Sequence, residues 1–224
     1  RVQKRTQRVT EIDQWPKMRD EVPSMRGVAV VAPVAAGGAF ALRGEANRSV
    51  ALTGIEPESY LRVVPLHEKI VDGAPRLTGT DALVGVDLAK NLGLGVGDKI
   101  RLATPAGADL TLTVSGLFDL GARGANERSV FVLMRTAQDL LNMPGGASAL
   151  DVTVDDIWQA EGVAQSIAAR TGLKSESWIA TNQQLFTALN AQTISNIALR
   201  VAVGFSVALG IASVLVVSVV QRDR

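Results

Sequence analysis

One run of residues restricts the possible fold of this chain more than any other feature. The run VAVGFSVALGIASVLVVSVV, from Val201 to Val220, contains no charged residue, and its only polar side chains are serines. At about 1.5 Å per residue, a helix of this length is about 30 Å long, which matches the hydrocarbon core of a bilayer. The run therefore predicts a transmembrane helix. A fully buried core helix is the alternative, although core helices of this length usually carry a polar stripe.

The predicted helix begins well before the membrane. Thr181 and Gln184 have the spacing of a capping box, and apolar residues follow at helical intervals. We therefore expect one helix from about Asn182 to Val220. Its first half, residues 182–200, is predicted to be a stalk outside the bilayer.

The chain before the stalk predicts a folded α+β region. Runs rich in β-branched residues alternate with turn residues and with short segments of helical spacing. The glycine pair at 37–38 and the polar stretch 44–48 are interpreted as hairpin turns. The predicted strands are 28–36, 40–43, 49–55, 82–85, 98–104, 110–118, 129–133, 151–154 and 177–180. The predicted helices are 11–25, 86–92, 136–141 and one that Asp155 or Asp156 caps.

These elements are not spread evenly along the chain. Between about residues 82 and 141, several short strands and small helices suggest a small barrel-like insert. The outer segments predict one α+β unit that this insert interrupts. Strand 151–154, the helix after it and the extended segment 177–180 are expected to form a βαβ-like unit.

Composition excludes several kinds of chemistry. The chain has no cysteine and a single histidine, so it offers no thiol nucleophile and no Cys/His metal cluster. Lys and Arg number 23 against 22 Asp and Glu, for a net charge of +1. This balance argues against a nucleic-acid-binding domain, which carries a strong basic excess on one face.

Two short motifs invite a functional interpretation that their context does not favour. Gly93, Gly95 and Gly97 suggest a phosphate-binding loop, but they follow a predicted helix and lack both the GxGxxG and the GK[ST] pattern. A helix C-cap followed by a turn is the preferred interpretation. His67 has Glu68 beside it but no serine in a GxSxG context, so we expect a surface histidine.

Two tryptophans and one loop are candidate contact sites. Trp158 and Trp178 are interpreted as packing residues, with a ligand-binding face as the alternative. The loop GARGANER, residues 121–128, places Arg123, Glu127 and Arg128 at a predicted hairpin tip, where partner contacts often lie. A plain solvated turn is the preferred interpretation of this loop.

Taken together, the motifs resemble a known family. The segments ALVGVDLAKNLGLGVGDKIRL, LTVSGLFDLG, SVFVLMRTAQDLL, SWIATNQQLFTALNAQ and ALGIASVLVVSVVQR occur in this order. Their combination resembles the extracytoplasmic core domain and second transmembrane helix of FtsX-like ABC transporter permeases, the MacB-like group. The spacing of Trp178, Leu185 and Phe186 and the ending VVQR are most similar to lipoprotein-releasing permeases of the LolC/LolE type.

The resemblance implies a domain layout. A Porter-like subdomain would comprise residues 1–66 and 149–181, and a mainly β Sabre-like insert would comprise residues 67–148. A stalk helix, 182–200, and a transmembrane helix, 201–220, would follow. Because these permeases have four transmembrane helices, the resemblance also implies one helix before Arg1 and two after Arg224, so that the chain is a fragment.

The resemblance further implies a function without catalysis in this chain. A separate cytoplasmic ABC ATPase subunit would hydrolyse ATP, and the stalk would transmit movement to the extracytoplasmic side for export or lipoprotein release. The expected partners are that ATPase, a second permease copy or paralogue, a periplasmic carrier or adaptor and membrane lipid, with no nucleic acid. The permease would lie in the inner membrane, with residues 1–200 on the periplasmic or extracellular side.

No catalytic, cofactor-binding or metal-binding residue is predicted. A single-pass anchored binding or adhesion module without a transport role is the alternative function. A membrane-anchored hydrolase is a third possibility, because chemistry that uses only carboxylates is not excluded by sequence.

Overall fold

A computed structural model of the chain describes residues 12, 14–181, 199–200, 203–204, 206–207 and 210. These residues belong to two units, Arg1–Gln159 and Ala160–Arg224. Within the described residues, no helix combines the length and the apolar character needed to cross a membrane. The predicted stalk and the predicted span 201–220 lie mostly outside the described residues, and those that are described between 199 and 210 are helical.

The first unit is built mainly of strands, with short helices between them. In chain order its strands are β1 (Val28–Arg43), β2 (Ala46–Ile55), β3 (Ile70–Gly73), β4 (Asp81–Gly85), β5 (Lys99–Ala103), β6 (Asp109–Phe118), β7 (Ser129–Leu133) and β8 (Ala149–Val154). Its helices are α1 (Trp15–Glu21), α2 (Pro57–Val63), α3 (Val86–Leu92), α4 (Arg123–Asn126) and α5 (Met134–Leu141). Short 3-10 turns occupy Val22–Ser24, Leu66–Lys69 and Ile157–Gln159.

Six of these strands close into a ring. Neighbouring strands follow the order β2, β7, β4, β6, β5 and β1, and β1 pairs in turn with β2. The pairs β2–β7 and β4–β6 are parallel, and the other four pairs of the ring are antiparallel. β3 lies outside the ring against β6, and β8 pairs with the first half of β1. The ring is therefore a small barrel with two strands attached to it.

The apolar residues of the ring strands form the main core. All six ring strands contribute to it, so these side chains fill the interior of the barrel. Helices α3 and α5 add Leu88, Leu92 and Leu140 to the same cluster. The main core includes Leu52, Ile100, Leu102, Leu112 and Val114, each fully buried.

A second core lies on the other face of the sheet. Successive residues of a strand point to opposite faces, and β7 shows this alternation: Val130 and Val132 belong to the main core, whereas Phe131 belongs to the second. Tyr60 of α2 packs here, and the rings of Phe118 and Phe131 are 5.2 Å apart.

The hairpin turn predicted at residues 37–38 is wrong. β1 runs without interruption through both glycines, which pair with Leu52 and Ala51 of β2. The turn lies at Gly44, whose φ of 57° is left-handed, within the second predicted turn, 44–48. Gly37 leaves room for α5, because a Cβ there would lie 2.5 Å from Cδ2 of Leu141.

Several local predictions are confirmed. α3 ends at Leu92, and β5, β6 and β7 lie where strands were expected. β3 and α2 were not predicted. The predicted barrel-like insert closes only with β1 and β2, which are predicted to lie outside it. The boundaries at 66/67 and 148/149 stay predictions.

The second unit contains two described helices before residue 182, α6 (Ala160–Thr171) and α7 (Trp178–Thr181). The extended segment predicted at 177–180, and with it the βαβ-like unit, is wrong, since α7 is helical. Ser177 caps this helix, because its Oγ accepts a hydrogen bond of 3.1 Å from the Ala180 N–H and donates one to Glu161. The capping-box partner Gln184 lies outside the described residues.

Candidate functional site

The loop between β6 and β7, residues 119–128, is the candidate site that the structure defines best. It is not a hairpin tip, because β6 and β7 do not pair with each other and instead flank β4. The loop contains the short helix α4, and the Arg123 side chain on this helix is 80% exposed. It therefore has more local structure than the solvated turn expected from sequence.

A buried asparagine fixes this loop. Asn126 is only 3% exposed, and its Nδ2 donates a 2.7 Å hydrogen bond to Oδ1 of Asp119. Its Oδ1 accepts a 2.9 Å bond from the Leu120 N–H, and the Gly121 N–H donates to Asp119. The hydrogen bond from Asn126, followed by that from Gly121, lowers the pKa of Asp119 below its usual value. The two ends of the loop are thus held together by side-chain amide and carboxylate groups.

The same loop packs tightly on the junction between β4 and α3. A Cβ built on Gly85 would lie 2.1 Å from the carbonyl oxygen of Asn126 and 2.8 Å from its Cα. Only glycine permits this approach of two backbones. The Ala51 N–H of β2 also donates to the Arg128 carbonyl, at 2.6 Å. The loop is consequently attached at both its helix and its C-terminal end.

The exposed face of the loop carries a local ion pair. Nε of Arg123 lies 2.8 Å from Oε1 of Glu127, one helical turn later. This hydrogen bond, together with the charge of Glu127, raises the pKa of Arg123. The exposed face of the loop is thus preformed, and the charge of Arg123 is balanced by that of Glu127.

The glycines at 93, 95 and 97 form a cap and a turn, as predicted. Gly93 has φ of 63° and ends α3, and the Leu94 N–H returns to the Ala89 carbonyl at 2.8 Å. Asp98 then accepts hydrogen bonds of 2.9 Å from both the Gly95 N–H and the Arg43 side chain. These contacts lead the chain into β5.

The remaining predicted residues are dispersed. His67 is a surface residue, as expected, with Nε2 3.9 Å from Oε1 of Glu68. Trp158 and Trp178 are 71% and 54% exposed, so they are not core residues, and their interpretation as packing between elements stays a prediction. Among the described residues, no group of three His, Cys, Asp or Glu side chains is placed to hold a metal ion.

A second buried polar group was missed by sequence reasoning. Asp81, only 4% exposed, accepts hydrogen bonds from Arg76 Nε at 3.1 Å and from Thr78 Oγ1 at 2.7 Å. It also accepts one from the Thr78 N–H. The spacing T-x-x-D is the available sequence signal, but it is too common to single out a residue. Asp81 holds the segment between β3 and β4 against the sheet.

Comparison with known proteins identifies the class to which this fold belongs. Residues 1–170 match the family of MacB-like periplasmic core domains, and the chain belongs to that family. The solved extracellular domain of the ABC-type transporter YknZ from Gram-positive bacteria is similar, with a TM-score of 0.53 at 15% identity, over 75% of this chain and 87% of that one. The periplasmic region of MacB from Actinobacillus actinomycetemcomitans gives a TM-score of 0.50 at 14% identity, over 71% and 75%.

Sequence relatives narrow this class to ABC transporter permeases. An uncharacterized ABC transporter permease protein of Mycobacterium tuberculosis is 32% identical over 183 residues, which is 77% of this chain and 21% of the relative. The lipoprotein-releasing system transmembrane protein LolC of Xylella fastidiosa is 28% identical over 166 residues, which is 67% of this chain and 40% of LolC. The chain thus spans between a fifth and two fifths of these relatives, and it is homologous to one region of them.

Proposed function

We propose that the chain is the extracytoplasmic core domain and second transmembrane helix of an ABC exporter permease, and that it transmits movement rather than carrying out chemistry. The observation that carries the proposal is the match of residues 1–170 to MacB-like periplasmic core domains, together with the apolar run 201–220 later in the chain. A core domain joined to such a run can receive a displacement from the membrane without binding nucleotide itself.

The proposal includes the layout that the family resemblance implies. Residues 1–66 and 149–181 form the Porter-like part, 67–148 the Sabre-like insert, 182–200 the stalk and 201–220 the membrane helix. The protein lies in the inner membrane, with residues 1–200 on its outer side. ATP is hydrolysed by a separate cytoplasmic ATPase subunit, and a second permease copy or paralogue completes the transporter.

The packing of the first unit suits a part that moves as a whole. Its strands close into a ring around one core, and the 119–128 loop is fixed to that ring by Asn126 and Gly85. A closely packed interior transmits displacement instead of absorbing it. A force delivered at one side of this unit is therefore expected to appear at the other.

The names of two relatives suggest the substrate class to test first. Two LolC proteins of lipoprotein-releasing systems are among the matches, so lipoproteins are the first substrates to test. A periplasmic carrier or adaptor would then receive the substrate from the exposed surface of the core domain, with the 119–128 loop as the first candidate contact.

Interrupting the predicted stalk tests the mechanism. In the full-length permease with its ATPase, a Gly-Gly-Pro insertion after Asn196 should leave ATP hydrolysis intact and abolish ATP-dependent lipoprotein release from proteoliposomes, because proline and glycine break a helix. The matched control is the same insertion between Ala106 and Gly107, in the exposed turn joining β5 to β6. Release that survives the first insertion as well as the second would refute transmission through the stalk.

A further inference from the structure

A partly buried carboxylate and a buried phenol share one face of the sheet, where α2 lies against β1 and β8. Asp151 of β8 is directly opposite Ala32 of β1, and directly opposite residues of neighbouring strands project to the same face. Ala32 belongs to the second core, together with Tyr60 of α2. Leu150, the neighbour of Asp151 along β8, points the other way and packs against the main core. Asp151 therefore projects towards the side of the sheet that holds Tyr60.

Both polar groups are without a partner in the part of the chain that the structure describes. Tyr60 is only 7% exposed, and its ring lies 5.9 Å from that of Phe131. Its hydroxyl makes no hydrogen bond there, and the Asp151 carboxylate makes neither a hydrogen bond nor an ion pair. Because no fully buried side-chain nitrogen or oxygen atom of the described residues lacks a hydrogen-bond partner, these two groups are open to solvent. A ligand can therefore reach both of them.

This arrangement is unfavourable for folding by itself. Burial raises the pKa of Asp151. Burial also raises the pKa of Tyr60, and the charge of Asp151 adds to that effect, as expected for two groups that lie close together. A carboxylate that loses water without gaining a partner destabilises the fold. A ligand that brings a positive charge to Asp151 would offset this loss.

We propose that Asp151 and Tyr60 form a binding site for an arginine side chain of a partner protein. A guanidinium has five N–H donors in one plane, so it can bond a carboxylate through two parallel hydrogen bonds and still donate to a neighbouring phenol oxygen. It is also more weakly hydrated than the ammonium of lysine, which suits a partly buried acceptor.

A metal ion fits these residues less well than a guanidinium. Ca²⁺ takes six to eight oxygen ligands, and Mg²⁺ takes six, whereas this site offers one carboxylate and one phenol. Among the described residues, no third His, Cys, Asp or Glu joins Asp151 in a group that could hold a metal ion.

The chain after β8 favours the approach of a cationic segment. Asp155 and Asp156 follow within five residues of Asp151, and both are exposed. Exposed charges of one sign attract a partner of the opposite sign and raise its rate of association. The partly buried Asp151 then provides the specific contact. This inference does not rest on the proposed transport function, so its failure would leave that function untouched.

Three short peptides that differ in one side chain test the site, and Tyr60 reports on it because it is the single tyrosine of the chain. The Cζ resonance of ¹³C-labelled Tyr60 is followed in the chain in detergent micelles, during titration with acetyl-Gly-Arg-Gly-amide. We expect a resonance shift that saturates at millimolar peptide, as is reasonable for one charged contact. The citrulline peptide, which has the same shape without the charge, should give no saturating shift. The lysine peptide should bind at least about threefold more weakly than the arginine peptide.

Two variants assign the binding to one carboxylate. Asp151→Asn should weaken binding of the arginine peptide at least about tenfold, because charge-assisted hydrogen bonds are lost. The matched control is Asp155→Asn, at an exposed acid four residues later, which should change the affinity by less than about twofold. Without peptide, Asp151→Asn should leave the Tm unchanged or raise it, because it removes a carboxylate that has no partner.

Each opposite result overturns the proposal. A missing shift with the arginine peptide, or an equal shift with the citrulline peptide, excludes recognition of the charge. Equal affinity for the lysine peptide excludes a site built for guanidinium. An equal loss of affinity in Asp151→Asn and Asp155→Asn shows only general attraction between charges. A lower Tm of Asp151→Asn shows that the carboxylate is already paired within the chain.

Discussion

Replacing Gly85 with alanine is expected to destabilise the protein through one close contact. Gly85 has φ of −64° and ψ of 141°, values that any residue adopts, so alanine causes no backbone strain there. The cost comes from the new methyl group, which would lie 2.1 Å from the Asn126 oxygen and 2.8 Å from two further Asn126 backbone atoms. Backbone atoms cannot rotate away as a side chain can.

The magnitude follows from how the clash can be relieved. Normal carbon–oxygen contact needs more than 3 Å, so the 119–128 loop must move by about 1 Å, which is enough to strain the 2.7 and 2.9 Å hydrogen bonds of Asn126. Overpacking of this kind costs about 1–3 kcal/mol, and a lost hydrogen bond at a buried group adds about 1 kcal/mol. We expect a loss of about 2–4 kcal/mol in the free energy of unfolding.

Urea denaturation followed by far-ultraviolet circular dichroism measures this loss. The matched control is Gly124→Ala in the same loop, where a Cβ meets no atom within 4 Å, so its unfolding free energy should change by less than about 0.5 kcal/mol. In an Asn126→Ala background the cost of Gly85→Ala should shrink, because the loop is already loosened. If Gly85→Ala is as stable as Gly124→Ala, the tight attachment of this loop is refuted.

Three further predictions concern other parts of the first unit. Tyr60 is the single tyrosine of the chain, and burial, with a smaller contribution from Asp151, raises its pKa to about 12. An ultraviolet absorbance titration of Tyr60 should therefore give a midpoint near 12, and a midpoint near 10 would contradict this. The free energy of unfolding should fall as the pH rises from 10 towards 12, since the folded state holds the tyrosine proton more tightly than the unfolded state. Gly93→Ala should lower the unfolding free energy by about 1 kcal/mol, because Gly93 has a left-handed φ of 63°. Gly95→Ala is the control and should be nearly neutral. Equal stabilities of the two variants would argue against the left-handed cap. Asp81→Ala should lower the unfolding free energy by about 2 kcal/mol, because the segment before β4 loses its anchor. Arg76→Ala should lower it less, because the Arg76 side chain is mostly exposed. Denaturation midpoints in the reverse order would show that the Asp81 carboxylate is not the anchor.

Local signals in the sequence predicted local structure well. α3 and its cap at Gly93 were found because the helical spacing and the terminal glycine lie within a few residues of one another. β7 was found for the same reason, as a short β-branched run between turn residues. These signals depend only on neighbours in the chain.

The errors have a different origin. The sequence predicts a turn at 37–38 because glycine permits one, but Gly37 lies in a strand, where a Cβ would be 2.5 Å from Cδ2 of Leu141 on a distant helix. The closure of the barrel by β1 and β2 depends on pairing across about 80 residues, as between Leu52 and Val130. No periodicity in the sequence reports such a pairing.

The candidate contact loop was predicted only in outline. Its position and its exposed Arg123 were found from charge and turn residues. The role of Asn126 was missed, because an asparagine in a polar loop usually faces solvent, and only the approach of Gly85 shows that this one is buried. Trp158 and Trp178 show the reverse error, since large aromatic residues suggest burial even where a structure exposes them.

The length of β1 limits how the first unit can deform. Its first half carries β8, its second half carries β5, and β2 accompanies it from Val34 to Arg43. A tilt of β8 must therefore rotate the same strand that forms a wall of the barrel, and a change in barrel twist must reappear as a change in the angle of β8. Because β1 belongs to both the barrel and the β1–β8 pair, neither of these parts can rotate without the other.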